Sequence, residues 1–131
     1  MAYQFAPAAS DASSISTLLI DAARCWRSAR DAGDPAQPSL TRVLRKYASE
    51  MLAPCLDSLM SLSQAALGRP LRVGDRRAIS ADERLLLELF SGAKNSRTCM
   101  DCGAGLATAL DCALCSARIM VELARTDEGE R

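Results

Sequence analysis

Pro54-Cys55-Leu56-Asp57-Ser58-Leu59-Met60-Ser61-Leu62-Ser63-Gln64-Ala65-Ala66-Leu67-Gly68-Arg69-Pro70 is the stretch whose reading decides the architecture. From Cys55 to Leu67, apolar residues (Leu56, Leu59, Met60, Leu62, Ala65, Ala66) fall on several sides of a helical turn. A helix that is apolar nearly all round is usually central in its fold. Gly68 and Pro70 supply a stop signal. Pro54 breaks the hydrogen-bond ladder, either kinking the preceding helix or opening a new one in its first turn.

A central helix needs amphipathic partners, and both flanks provide them. Upstream, Ser39 is the expected N-cap of a helix whose Leu40, Val43, Leu44, Tyr47 and Met51 share a face, opposite Arg42, Arg45, Lys46, Ser49 and Glu50. Before it, Asp31 to Pro38 reads as a loop, punctuated by Gly33, Pro35 and Pro38. A first helix is expected from Ser14 to Arg30, with a stripe of Ile15, Leu18, Leu19, Ala22, Trp26 and Ala29. Asp21, Arg24, Arg27 and Ser28 cover its other side. Residues 1–13 read as a flexible arm.

Downstream, residues 69–79 look extended, with a short strand-like piece. Ser80-Ala81-Asp82-Glu83 matches a capping box, opening a helix that contains Leu85, Leu86, Leu87, Leu89 and Phe90 and closes near Gly92. The acids Asp82 and Glu83 suit the positive end of that helix's dipole. After polar residues 93–98, a last helix is expected from Leu106 to Ala124. Leu106, Leu110, Ala113, Ala117 and Val121 lie on one face. Asp111, Arg118 and Glu122 form only a narrow polar strip, so this helix is expected to be largely buried. Residues 126–131 form a charged tail.

The expectation is therefore an all-α fold, with four to five helices packed as a bundle or an orthogonal array. One helical domain spans 14–125, between the arm and the tail. Composition agrees: 49% of the 131 residues are hydrophobic but only 4% aromatic, which favours Leu- and Ala-rich helices over strands. The architecture resembles that of many short helical bacterial proteins, a likeness that transfers no residues.

Sixteen basic and sixteen acidic residues cancel, so no overall field favours nucleic acid or an anionic membrane. No stretch is read as a membrane span of about 20 apolar residues. The first residues carry neither a basic region nor a sustained apolar run, so a secretory signal is not expected. A soluble, cytoplasmic chain with reduced thiols follows as the expectation.

The cysteines offer the most specific chemistry. Cys99-Met100-Asp101-Cys102-Gly103 has the form of a zinc knuckle, and Cys112-Ala113-Leu114-Cys115 is a second CxxC. Together, Cys99, Cys102, Cys112 and Cys115 are four soft ligands of the kind that close a tetrahedral zinc site. Against this, the nine-residue spacer reads as helix, placing Cys112 about 10 Å along the axis from the helix start at 1.5 Å per residue. The preferred reading is that the cysteines are small buried hydrophobes, as expected of Cys25 and Cys55 beside their apolar stripes. A thiol-redox pair is the third reading, and no βαβ pattern surrounds either CxxC.

The chain has no histidine, which removes the commonest general base and the usual Ser or Cys triads. Phosphate-loop, dinucleotide and HExxH motifs are absent too, so catalysis is not expected. Arg69, Arg72, Arg76 and Arg77 cluster around Asp75 as a candidate patch for an anion or an acidic partner, with a solvated loop paired to nearby acids as the alternative. No aromatic residues interleave with these arginines, which weighs against single-stranded nucleic acid. Trp26 is assigned to the core. The expected function is a non-enzymatic structural or protein-interaction module, either self-associating as a homodimer through a surplus helix face or binding another protein partner.

Overall fold

The structure, a computed structural model, describes residues 5–93 and 103–129, with side chains for 14–93 and 103–124. The fold is all-α: the described residues contain five α-helices and no strand. They are α1 (Phe5–Ala32), α2 (Ala36–Leu44), α3 (Ala53–Leu67), α4 (Ala81–Ser91) and α5 (Ala104–Gly129).

Helix α3 is central, as its all-round apolar pattern requires. Leu56, Leu59 and Met60 are wholly buried, and α3 packs most extensively on α5 while also meeting α2 and α1. Gly68 caps it in the left-handed conformation at φ 71°, its N–H returning to the carbonyls of Gln64 and Ala65. Trp26 of α1 is fully buried and donates its indole N–H to Asp57 of α3 at 2.8 Å, giving the one polar atom of a large apolar side chain a partner.

Boundaries differ from the sequence reading at α1, at both ends of α2 and at α5, which runs from Ala104 to Gly129 rather than from Leu106 to Ala124 and so takes in part of the expected tail. Helix α1 reaches back to Phe5, because Pro7 falls in its first turn, where a missing N–H is tolerated. Helix α2 starts at Ala36 rather than after Ser39, and its N-cap position, Pro35, makes no side-chain cap. Ser39 instead donates its hydroxyl to the carbonyl of Pro35.

The expected continuation of α2 through Met51 is broken. Two 3₁₀ turns, Arg45–Tyr47 and Glu50–Leu52, flank Ala48, which adopts a left-handed φ of 53°. The break turns the chain so that Leu52 and Ala53 enter the core, and Pro54 then sits in the first turn of α3. Met51 is left 48% exposed instead of sharing a buried face.

Candidate functional site

The two regions singled out by sequence are the cysteine pairs and the arginine-rich loop. Cys99 and Cys102 lie outside the described residues. Cys112 and Cys115 both stand on α5, and both are exposed. The buried-hydrophobe reading therefore fails for these two. Cys25 and Cys55 are half-buried, and burial pushes both thiols upward, with Arg42 opposing it at Cys25. Among the described residues, no three metal-ligating side chains come together.

The exposure of Cys112 and Cys115 follows from how α5 is divided. Ala107, Leu110, Leu114, Ala117, Val121 and Ala124 are buried, a stripe at helical spacing facing α3. The opposite side carries Cys112, Ser116, Ile119 and Leu123, all exposed, with Ile119 at 56% and Leu123 at 54%. The expectation of a largely buried helix is thus corrected: α5 has two apolar stripes, and a single-layer neighbour covers one.

Ala104–Ala124 is in fact long and apolar enough, by length and composition, to cross a membrane, with mean hydropathy 1.5 and only 28% of its most apolar window buried. That corrects the reading that no stretch approaches such a span. The spacing of 112, 116, 119 and 123 was the signal available, masked by reading the three charges as the sole outward strip.

The arginine loop is held from beneath by the first turn of α4. The capping box forms as the sequence predicts: Glu83 N–H donates to Ser80 Oγ at 3.0 Å, and Ser80 N–H donates to Glu83 Oε1 at 2.8 Å. The carboxylate does more than close that box. Glu83 is 1% exposed, and it also accepts from Gly74 N–H at 3.0 Å and from the Arg24 guanidinium at 2.8 and 3.1 Å. Burial alone would raise its pKa, yet Arg24 and the two N–H donors hold it below the usual carboxylate range.

Asp82 is treated alike. It is 5% exposed and accepts from Arg69 at 2.6 and 2.8 Å and from Arg72 N–H at 2.8 Å. The Arg69 guanidinium chiefly lowers its pKa, against the effect of burial.

Arg69 is therefore occupied, whereas the side chains of Arg72, Arg76 and Arg77 are exposed. Asp75 ties the tip, accepting from the N–H groups of Arg77 and Ala78 at 2.9 and 3.3 Å; these bonds lower its pKa. Arg76 and Arg77 border a cleft of 310 Å³ shared with Asp21, Arg24 and Asp75, so its lining carries both signs of charge. The burial of Asp82 and Glu83 was not legible, since a helix first turn explains two acids without any tertiary partner.

A second groove of 310 Å³ runs between α1, α4 and α5, lined by Ile15, Leu19, Leu87, Phe90 and Val121, with Arg118 at its edge. Arg118 donates to the carbonyls of Leu89 and Phe90, each at 2.6 Å, which satisfies the open end of α4.

No protein-family model matches the chain, and no curated protein or solved structure matches it. The class the fold defines is an all-α protein, with five helices among the described residues.

Proposed function

We propose that this chain is a non-enzymatic, helical protein-interaction module that works through the outer face of α5. The observation that carries this reading is the exposure of Ile119 and Leu123, at 56% and 54%, on a helix whose other face is already packed. Covering such a side chain contributes about 1.5–3 kcal/mol, so the stripe is a ready source of binding energy. The absence of histidine supports a non-enzymatic role. So does the state of the two most buried acids, Asp82 and Glu83, which are locked in ion pairs rather than poised to transfer protons.

The test is the alkylation rate of Cys112 and Cys115 by a maleimide. Both thiols should be protected in cells that make the protein at natural levels, relative to the purified protein at high dilution. Equal rates in the two settings would remove the interaction reading.

A second reading has one specific observation in its favour. Cys112 and Cys115 point away from the core, so packing does not account for them, and a four-thiolate zinc site completed by Cys99 and Cys102 is a chemically apt use. Elemental analysis of protein purified under reducing conditions decides it: about one zinc per chain is required, and metal-free protein of full stability ends that reading.

A further inference from the structure

We infer that Cys112 and Cys115 of α5 form a two-thiolate chelate for a soft monovalent cation, Cu(I) by its chemistry. The site needs neither Cys99 nor Cys102, so it stands apart from the four-thiolate zinc reading. It needs no partner chain either.

Spacing and exposure come first. Both thiols are exposed on one helix, so core packing accounts for neither. Residues three apart on a helix lie about 60° apart around its axis, with Cβ atoms about 5–6 Å from each other. A disulfide needs Cβ atoms about 3.5–4.5 Å apart, so the intact helix disfavours one. A shared ion suits the longer separation. Metal–sulfur bonds of about 2.3 Å hold two sulfurs up to about 4.6 Å apart, a span that thiols leaning toward each other reach without unwinding the helix.

The number and softness of the donors then choose the ion. Structural zinc takes four ligands, but among the described residues no three Cys, Asp or Glu side chains come together. The chain has no histidine to add. Asp111 precedes Cys112 in the chain, and its carboxylate is a hard donor better suited to magnesium or calcium. Two thiolates alone fit a soft, closed-shell cation that accepts two-coordinate geometry, and Cu(I) is the thiolate-selected ion of that kind.

Binding exchanges protons for metal. Each thiol gives its proton to water as its sulfur–copper bond forms, and the product is a bis-thiolate bearing one net negative charge. No electron moves: copper enters and leaves as Cu(I).

Anaerobic titration of the purified, reduced protein with Cu(I), against bicinchoninate as competing chelator, is the deciding experiment. It is run on the unmodified chain and on the Cys99→Ser, Cys102→Ser double variant, which isolates the α5 pair. About one copper per chain should bind to the double variant, with two sulfur neighbours in X-ray absorption. Adding Cys112→Ser or Cys115→Ser should weaken binding at least about 100-fold, because a chelate becomes a single thiolate. Helicity should not change, since both positions are exposed.

A further variant of the same background tests spacing rather than thiol number. Cys115→Ser with Ile119→Cys keeps two thiols at exposed positions of one face but sets them about 10 Å apart along the axis. It should bind copper as weakly as the single-thiol variants.

Copper held by the spacing variant, or by either single-thiol variant, as tightly as by the double variant overturns the chelate. Three or four sulfurs per copper in the double variant overturn the two-thiolate site. Binding that disappears when Cys99 and Cys102 are replaced also overturns it, and assigns the α5 thiols to a four-cysteine site.

Discussion

The loop over α4 and the outer face of α5 break the usual partition of residues in opposite directions. The first buries charge and the second exposes hydrocarbon. Beneath the loop, two carboxylates at 5% and 1% exposure accept hydrogen bonds from the Arg69 and Arg24 guanidiniums and from the backbone N–H groups of Arg72, Gly74 and Ser80. On α5, Ile119 and Leu123 are left exposed among the described residues. The lesson is one of closure. Buried charge is tolerated because the chain completes it internally, whereas the outer stripe of α5 stays exposed among the described residues.

The comparison breaks most severely at Glu83. Glu83→Ala strands the Arg24 guanidinium and leaves the N–H groups of Gly74 and Ser80 without their acceptor, and removing one partner of a buried ion pair costs about 3–5 kcal/mol. Because the Arg24 side chain is 28% exposed, water relieves part of that cost, and a loss of about 3 kcal/mol in urea unfolding is expected. A loss below about 0.5 kcal/mol would mean that the pair is a surface contact.

The same pair sets the acid limb of stability. Both carboxylates have folded pKa values lowered from ordinary values of 4.5 for Glu83 and 3.8 for Asp82. Their contribution is complete above those ordinary values and is lost as pH falls through the lowered folded ones. Unfolding midpoints should hold steady from neutrality to about pH 5 and drop below it, and Glu83→Gln should flatten that drop. An unchanged acid limb in Glu83→Gln would show that other carboxylates carry it.

Gly74 ranks next. A Cβ built there would lie 2.9 Å from Ser80 N and 3.0 Å from Glu83 Oε1, and would clash with the carbonyl of Ala78. The Cβ position is fixed by the backbone, so Gly74→Ala must push the loop off the carboxylate. About 1–3 kcal/mol is expected, as for other overpacked sites, with the arginine-loop amides losing hydrogen-exchange protection. Wild-type protection in that variant would contradict the close approach.

Much of this was legible in the residues. The all-round apolar pattern of 55–67 marked the central helix, and Ser80 with Glu83 marked a cap that forms as expected. Both signals are local, set by spacing within one element. The partners of Asp82 and Glu83 lie 13 and 59 residues away, on Arg69 and Arg24, and no local pattern encodes such pairing. Cys112 and Cys115 were misplaced for a related reason. An apolar stripe tells which residues seek cover, but with two stripes on one helix only the packing of α3 decides which is covered. The break at Ala48 was equally hidden, since Arg45 to Leu52 continues the helical period and only the demand that Leu52 enter the core interrupts it.

On the exposed side the expected effects are small, and their smallness is informative. Ile119→Ser and Leu123→Ser, measured at high dilution, should each change stability by less than about 0.5 kcal/mol, because neither side chain is buried. Cys112→Ser should do less still, since the thiol is exposed and serine differs from it mainly in polarity. That near-zero value separates two uses of the same helix face. If Cys112 only borders a partner-binding stripe, the variant unfolds like the parent with or without chelator. If it holds zinc, the variant loses binding energy that is coupled to folding, and the parent but not the variant becomes less stable when chelator is added. Calorimetry of parent and Cys112→Ser, each with and without chelator, therefore distinguishes a face that awaits another chain from one that the chain closes with a metal.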